Sequence, residues 1–316
     1  MMARALALNG AHKVYIVGRR KEILEKAAKS VSTDNIIPLV GDVTSKEALS
    51  SIVSTITSET GYINVLIANS GTLGPQAAQK LTAESTVADF QKAYSETSFE
   101  EFADTFKLNT VAVWYTIVAF LGLLDEGNKK GNVEQKSQVI ATSSIGAFNR
   151  NTPGGYAYGQ SKAATTHMMK QLATGLAPFG IRSNVLAPGR EFVSLDLVSN
   201  SFRSVCLSRS GLQILASSMS SVWLGIQGYL DLSLTLVSFL IRSGVSDSSK
   251  VFPSELAAGI IGNGVFPKSQ IPLERVGTEE DMAGCILFLT SRAGAYCTGN
   301  VVILDGGRLS MVPATY

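Results

Sequence analysis

Cysteine and histidine are scarce in this chain, and their scarcity excludes several kinds of site. The three cysteines, Cys206, Cys285 and Cys297, have no Cys-x-x-Cys spacing and do not form an even-numbered set. We therefore expect neither a disulfide framework nor a zinc site. Two histidines are too few for a metal cluster. The formal net charge of +2 over 316 residues gives no reason to expect a nucleic acid as partner.

A secretory signal is also lacking from the printed sequence. Residues 1–18 have the pattern of a helix, a glycine turn and a short strand, rather than a charged start, an apolar core and a cleavage site. Because the low cysteine content fits a reducing compartment, we expect a cytoplasmic protein. A length of 316 residues suits one large α/β domain, which we assign to residues 1–316.

Charged residues are few between residues 190 and 250, where the sequence is rich in serine and leucine without clear alternation. A membrane-spanning helix needs about 20 predominantly apolar residues. Asp231 interrupts the most apolar part of this stretch. A central aspartate costs about 2.5–3.5 kcal/mol on insertion scales. We therefore expect no membrane span here.

Short apolar runs alternate with helical patterns along the rest of the chain, which predicts an α/β fold with a doubly wound parallel sheet covered on both faces. A long helix is expected from about residue 98 to residue 124. In such a sheet, ligands bind beyond the carboxyl ends of the strands. The predicted strands are Lys13–Val17, Ile36–Val40, Ile63–Ala68, 138–142, Ile181–Ala187 and a closing strand within 298–307.

Tyr158 and Lys162 are four residues apart at the start of a predicted helix, with Ser143 and Ser144 one loop upstream. This spacing places the phenol and the ammonium on one helix face. A nearby cation favours phenolate and lowers the tyrosine pKa from about 10, so Tyr158 is a candidate proton donor. A serine hydroxyl beside it is suited to steady a carbonyl oxygen. The alternative is an exposed tyrosine and a solvated lysine.

Arg19 and Arg20 follow the first predicted strand, where NAD-binding chains place an acidic residue for the ribose 2′-hydroxyl. A guanidinium presents donors that match a 2′-phosphate. We therefore expect NADP(H) as cofactor, with Arg19 as the first contact. The alternative is that one or both arginines are only solvated at a helix start.

The strand at 138–142, the serine pair, the Gly/Pro-rich loop and Tyr158-Gly-Gln-Ser-Lys162 together resemble the short-chain dehydrogenase/reductase family. The resemblance implies an NADP(H)-dependent oxidoreductase that reduces a ketone or aldehyde, or oxidises the alcohol, as a homodimer or tetramer. In that reaction Tyr158 donates the proton, and Ser144, with Ser143 as runner-up, hydrogen-bonds the substrate oxygen. Lys162 lowers the tyrosine pKa and binds the nicotinamide ribose.

Residues at other strand ends extend the resemblance. Asp42 resembles the aspartate that accepts from the adenine amino group, with a helix N-cap as the alternative. Asn69, in Ala68-Asn-Ser-Gly71, resembles the turn that lines the cofactor. Asn109 resembles the asparagine that holds a water connected to the lysine, with a satisfied polar residue in a helix as the alternative. Ser254 resembles the hydroxyl residue that caps the pyrophosphate.

The chain departs from the family pattern in two places. It has no Thr-Gly-x-x-x-Gly-x-Gly loop, and residues 1–11 resemble the remainder of the helix that follows this loop in the family. An N-terminal truncation of this kind removes a central strand, leaves neighbouring strand edges unpaired, and predicts weak cofactor binding. Residues 190–250 are expected to be an atypical insertion in the substrate loop, which we expect to derive from an unspliced intron or a gene-model error. The alternatives are a genuine lid or a membrane-binding loop. A non-catalytic remnant is therefore the alternative function.

Overall fold

A computed structural model of the protein describes residues 1–189, 235–239 and 266–316. Its strands form one sheet in the order β2-β1-β6-β3-β4-β5-β7, and every neighbouring pair is parallel. The doubly wound α/β prediction is confirmed. The strands are β1 Lys13–Gly18, β2 Ile36–Val40, β3 Val65–Ala68, β4 Gln138–Thr142, β5 Arg182–Pro188, β6 Thr235–Phe239 and β7 Val301–Leu304.

Helices cover both faces of the sheet and bury two apolar layers. One layer packs α3, α6 and α7 against the strands, with Ile56, Ile117 and Phe120 fully buried. The other packs α1, α2 and α8, with Leu6 and Ile286 almost fully buried. The helices are α1 Met2–Leu8, α2 Lys21–Ala28, α3 Lys46–Glu59, α4 Val87–Ser95, α5 Phe99–Phe106, α6 Ala112–Lys130, α7 Tyr156–Gly175 and α8 Glu279–Thr290.

The centre of the sheet differs from the sequence expectation. Strand β6 lies between β1 and β3 and pairs in parallel with both, through registers that include Tyr15 with Val237 and Leu66 with Val237. The prediction that the neighbouring strand edges are left unpaired is therefore wrong. The strand that fills the position comes from the segment 190–250, whose other residues lie outside the described part of the chain.

The predicted long helix is continuous but not uniform. Helix α5 begins with a reciprocal cap between Ser98 and Glu101, which satisfies amides of the first turn. It leads through a π-helical segment, Lys107–Val111, into α6, which ends at Gly131 in a left-handed conformation. The run Phe99–Lys130 is long and apolar enough to cross a membrane by length and composition alone. Its apolar face, however, belongs to the core described above.

Because the strands are parallel, their carboxyl ends share one edge of the sheet. Arg19 follows β1, Asp42 follows β2 and Asn69 follows β3, while Ser144 follows β4. The predicted strand-end residues are therefore brought to one edge.

Candidate active site

The phenol ring of Tyr158 lies beside the hydroxyl of Ser144. A Cβ placed on Gly146 would lie 3.0 Å from Tyr158 Cε1 and 3.3 Å from Ser144 Oγ, so both groups crowd the same glycine. Gly154 is equally close to the ring, because a Cβ there would lie 2.5 Å from Tyr158 Cδ1. Two glycines therefore make room for the partly buried ring, and the ring is held next to the serine.

Ser144 and Ser143 have different surroundings, which separates the two candidates. Ser143 Oγ donates to the carbonyl of Lys162 at 3.0 Å and shares a 2.6 Å hydrogen bond with Thr166 Oγ1. Ser144 Oγ accepts from Gly146 N at 3.0 Å and faces Tyr158. Ser143 therefore ties β4 to α7, and Ser144 is the serine at the candidate active site.

Lys162 is buried on the same face of α7. Only 4% of the residue is exposed, and its Nζ donates to the carbonyl of Thr142 at 2.7 Å. Burial lowers the pKa of Lys162 from 10.5 to about 8. The alternative of a solvated lysine is therefore excluded, and the spacing prediction that Tyr158 and Lys162 share a face is confirmed.

The prediction that the pKa of Tyr158 is lowered is wrong for the protein without bound ligands. Burial raises the pKa of Tyr158 above its usual value, and the hydrogen bond to Ser144 opposes this rise only in part. The predicted lowering of this pKa by Lys162 is not found, because desolvation of the phenolate dominates. The phenol therefore holds its proton, as a proton donor must before it reacts.

Asn109 joins three parts of the site from within the π-helical segment. It is fully buried, accepts from Thr72 N at 2.8 Å and donates to Thr72 O at 2.9 Å. Its Nδ2 also donates to Ser161 Oγ at 2.9 Å. A Cβ on Gly71 would lie 3.0 Å from Asn109 Oδ1 and 3.1 Å from Lys162 Nζ. Asn109 is thus a satisfied polar residue that fixes the loop after β3 against α7.

Sequence reasoning missed the polar stripe of α7 that supports these groups. Ser161 Oγ donates to the carbonyl of Tyr158 at 2.9 Å, and Thr165 Oγ1 donates to the carbonyl of Asn109 at 2.6 Å. Thr166 Oγ1 shares a 2.6 Å hydrogen bond with Ser143 Oγ and lies 2.9 Å from the carbonyl oxygen of Lys162. The signal was available, because hydroxyl residues three to four positions apart continue the face that starts at Tyr158.

Arg19 and Asp42 lie together at the exposed end of the site. Arg19 Nη1 is 3.8 Å from Asp42 Oδ2, and the two side chains are 44% and 38% exposed. Thr44 donates to Asp42 Oδ1 through its amide at 2.9 Å and its hydroxyl at 2.7 Å.

Partial burial raises the pKa of Asp42, but the hydrogen bonds from Thr44, together with the charges of Arg19 and Lys107, leave the pKa below its usual value. Asp42 is not a helix N-cap, because Ser45 caps α3 by accepting from Ala48 N.

Of the two remaining predicted cofactor-binding residues, Asn69 and Ser254, the structure describes only Asn69. Asn69 is partly buried at the end of β3, and its side chain makes no hydrogen bond to another described residue. Thr142 Oγ1, at the end of β4, is buried without a partner within the described ranges. Unpaired polar groups and the cations Lys162 and Arg19 along this edge fit a polar, anionic cofactor. Ser254 lies outside the described residues.

A separate cavity of about 350 Å³ lies on the other side of α7. Tyr156 and Gln160 line it and are each two positions from Tyr158, which is about 200° around a helix. Its other lining residues are Pro75, Phe90, Tyr94, Thr97, Phe102 and Ala157. The cavity is therefore apart from the face that carries Tyr158 and Lys162. Among the described residues no group of three acidic, histidine or cysteine side chains is placed to hold a metal ion.

Comparison with known proteins identifies the family. The sequence model described as short chain dehydrogenase matches residues 1–191, and that described as Enoyl-(Acyl carrier protein) reductase matches residues 262–308. Short-chain dehydrogenase/reductase PhomF of Diaporthe leptostromiformis is 42% identical over 323 residues, covering 100% of this chain and 89% of PhomF. SAT3 of Stachybotrys chartarum, a short-chain dehydrogenase/reductase, is 35% identical over 335 residues, covering 100% of both chains.

Solved structures show the same fold. The Pseudomonas aeruginosa RhlG/NADP active-site complex superposes with a TM-score of 0.62 at 23% identity, covering 97% of this chain and 89% of RhlG. A short-chain dehydrogenase/reductase from Caenorhabditis elegans with cofactor gives a TM-score of 0.66 at 23% identity, covering 98% and 90%. The chain belongs to the short-chain dehydrogenase/reductase family, whose members are oxidoreductases that act on alcohol or carbonyl groups of small molecules with a nicotinamide cofactor.

Proposed function

We propose that this protein is an NADP(H)-dependent oxidoreductase that reduces a ketone or aldehyde, or oxidises the corresponding alcohol. The observation that carries the proposal is the placement of Tyr158 beside Ser144, with Lys162 buried on the same helix face. A proton donor, a hydroxyl for the carbonyl oxygen and a buried cation are the groups that carbonyl reduction needs.

When bound, the reduced nicotinamide supplies the hydride. Ser144 Oγ donates a hydrogen bond to the substrate oxygen and holds it against Tyr158. Tyr158 Oη gives its proton to that oxygen as negative charge develops there. Lys162 would hold the cofactor ribose, and it stabilises the phenolate that remains, because a nearby cation favours the charged form. Asn109 holds the loop after β3 against helix α7. We also assign Asn109 to the proton relay.

The preference for NADP(H) follows from Arg19. Its guanidinium is exposed at the end of β1 and lies 3.8 Å from one carboxylate, so it remains accessible to a 2′-phosphate. Asp42 and Asn69 would hold the adenosine side of the cofactor, and Ser254 would contact the pyrophosphate. RhlG, solved as an NADP complex, supports the same choice.

A non-catalytic member of the family is the second candidate. The observation that favours it is the lack of a Thr-Gly-x-x-x-Gly-x-Gly pattern in the printed sequence. That loop cradles the pyrophosphate in this family, so a non-catalytic member without it would bind NADPH weakly. Calorimetric titration with NADPH decides this point, because tight and saturable binding contradicts the expectation of weak binding.

The substrate proposal is a ketone of secondary or fatty-acid-type metabolism. PhomF and SAT3 are fungal relatives. A rhamnolipids biosynthesis 3-oxoacyl-[acyl-carrier-protein] reductase of Pseudomonas aeruginosa is 24% identical over 97% of this chain. We further propose a cytoplasmic homodimer or tetramer. Trp114 and Val118 are 43% exposed on α6, which gives an apolar face for pairing.

The test of the proposed function is NADPH consumption with a panel of ketones and aldehydes. Tyr158→Phe is expected to reduce turnover roughly 100- to 10,000-fold, the range for losing a general acid. Tyr156→Phe is the matched control, because Tyr156 lies on the opposite side of the same helix. Equal turnover by the Tyr158→Phe variant and the wild type contradicts the assigned role of Tyr158.

A further inference from the structure

The segment Pro313–Tyr316, which we call the C-terminal strap, lies against the loop that follows Ser144. Arg150 N donates to Pro313 O at 2.9 Å, and Thr315 N donates to Phe148 O at 2.9 Å. Between these two hydrogen bonds, Asn149 and Ala314 face each other as an antiparallel bridge. The strap is therefore paired with residues 148–150.

Side chains reinforce this pairing. The ring of Tyr316 packs edge-on against the ring of Phe148, with centroids 5.1 Å apart and an interplanar angle of 71°. Phe148 in turn packs against the main apolar core. Thr315 Oγ1 also donates to Phe148 O at 3.3 Å. Edge-to-face ring pairs of this kind stabilise a contact beyond the effect of the area that they bury.

The same loop continues upstream into the turn that carries Ser144. Ala147 N donates to Ser144 O at 3.0 Å, which closes the turn. Phe148 N donates to Ile145 O, also at 3.0 Å. Phe148 is therefore bonded both to the strap and to the turn, so a shift at one end displaces the other.

The turn leaves little freedom next to Tyr158. Gly146, inside it, already lies so close to Tyr158 that a Cβ would be 3.0 Å from the ring. The amide of Gly146 also donates to Ser144 Oγ at 3.0 Å. Movement of this turn therefore changes the separation between the serine hydroxyl and the phenol.

The chain that leads into the strap is anchored independently. After β7, Asp305 accepts from Gly307 N at 2.8 Å and from Leu309 N at 2.7 Å. Gly307 has a φ of +85° and packs against Pro272, where a Cβ would lie 2.9 Å from the proline ring. Only glycine adopts this conformation at that distance without strain. The chain is thus fixed before the strap by the turn after β7, and the strap itself is fixed by the Ser144 loop.

We propose that Thr315 and Tyr316 are positioning residues that hold the Ser144 turn against Tyr158. The inference rests on the proposed function for its catalytic readout. Thr315 acts through its amide on Phe148 O, and Tyr316 acts through its ring on Phe148. Because the strap touches neither Arg19 nor Asp42 in the described structure, its loss changes turnover and leaves cofactor affinity unchanged.

The first experiment compares Thr315→Pro with Ala314→Pro. Proline removes an amide donor, and Thr315 N donates to Phe148 whereas Ala314 N takes part in neither ladder hydrogen bond. We expect kcat of the Thr315→Pro variant to fall roughly 10- to 100-fold, the scale of a misplaced catalytic group, with KM for NADPH unchanged. Ala314→Pro is expected to retain wild-type kcat. Equal losses in both variants, or none in either, overturn the proposal.

The ring contact is tested separately. Tyr316→Ala is expected to lower kcat about 3-fold, because it removes the edge-to-face ring contact with Phe148. Tyr316→Phe restores wild-type kcat, because the phenyl ring keeps the edge-to-face geometry. Failure of the phenylalanine variant to restore kcat contradicts a role for the ring.

A double-mutant cycle shows whether the strap acts through Ser144. In a Ser144→Ala background, Thr315→Pro is expected to cause no further loss of kcat, because the group it positions is gone. The same fold-loss in both backgrounds contradicts the assignment.

Amide hydrogen exchange on the full chain gives a readout that needs no turnover. Thr315→Pro is expected to raise exchange at residues 144–150, and Ala314→Pro is not. Unchanged exchange at residues 144–150 in the Thr315→Pro variant overturns the proposed positioning role of the strap. If the wild-type chain shows no turnover, the proposed function is contradicted instead. The exchange experiment then tests by itself whether the strap holds the Ser144 turn.

Discussion

The carboxyl edge of the sheet has two ends that are built in different ways. At the end that carries Tyr158, the supporting groups are buried: Lys162 is 4% exposed and Asn109 is 0% exposed. At the end that carries Arg19, the side chains of Arg19 and Asp42 are 44% and 38% exposed, and they meet at 3.8 Å. The first end is held by hydrogen bonds of 2.6–3.0 Å that join α7, the π-helical segment, the loop after β3 and the turn after β4.

This contrast separates two kinds of function. The proposed reacting groups are fixed by the same contacts that fix the fold, so a change there is expected to disturb chemistry and stability together. The exposed charges can exchange one partner for another, as the proposed discrimination between cofactors requires. An exposed ion pair contributes about 0–1 kcal/mol, so breaking the Arg19–Asp42 pair for the proposed contact with a 2′-phosphate costs little.

The largest expected effect comes from removing the buried cation. Lys162→Met keeps the length of the side chain and deletes its charge, so turnover is expected to fall about 100- to 10,000-fold. The matched control is Lys170→Met, because Lys170 is an exposed lysine on the same helix. Steady-state NADPH oxidation measures both. Comparable turnover of Lys162→Met and Lys170→Met would show that the buried cation at the Tyr158 end is not needed for turnover.

A smaller effect is expected at the exposed end. Arg19→Ala removes a charge-assisted hydrogen bond to phosphate, worth about 1.5–3 kcal/mol, and is expected to lower kcat/KM for NADPH roughly 10- to 100-fold. The value for NADH is expected to stay nearly constant. Lys21→Ala, an exposed neighbour in α2, serves as the control. An equal loss with both cofactors contradicts the assignment of Arg19 to the 2′-phosphate.

The next effect tests whether the buried end couples chemistry to stability. A Cβ at Gly71 lies 3.0 Å from Asn109 Oδ1 and 3.1 Å from Lys162 Nζ. Gly71→Ala is therefore expected to lower the free energy of unfolding by about 1–3 kcal/mol and to lower kcat as well. Gly122→Ala, in α6 with nothing within 4 Å, is expected to be neutral or to stabilise by up to about 1 kcal/mol. Urea unfolding at pH 7 and steady-state kcat are measured for both variants. A Gly71→Ala variant with the wild-type kcat contradicts the link between catalysis and stability at the buried end.

The smallest effect concerns pH. Lys162 has a pKa of about 8 in the folded chain and an ordinary value of 10.5 when unfolded. Between these values the unfolded chain binds more protons, so this group makes stability rise with pH, by at most about 1.4 kcal/mol per unit. We expect the unfolding free energy of the wild type to increase relative to Lys162→Met between pH 8 and pH 9.5. Parallel pH dependences of the two proteins would show that Lys162 is not desolvated.

Much of the fold follows from local patterns in the sequence. The run Ile36–Val40 is a strand over the predicted residues, and α3 begins at Lys46 behind its Ser45 cap. The same patterns did not predict β6, because the serine-rich text around residues 235–239 has no alternation and its pairing depends on two distant strands.

The candidate site was predictable in its residues but not in its energetics. The four-residue spacing placed Tyr158 and Lys162 on one face, as found. The facing of Ser143 and Ser144 depends on the turn after β4, which the sequence does not specify. The rise of the Tyr158 pKa depends on burial of the phenol in the folded chain, and no local pattern reports that burial.

The most direct measurement is the transfer of deuterium from NADPH labelled at the reactive nicotinamide carbon to the alcohol product, followed by mass spectrometry at saturating cofactor. We expect the wild type to transfer the label to the carbonyl carbon. We expect Tyr158→Phe to transfer it at least about 100-fold more slowly and Tyr156→Phe to transfer it at the wild-type rate. Transfer at the wild-type rate by Tyr158→Phe, or no transfer by the wild type, contradicts the proposed reaction.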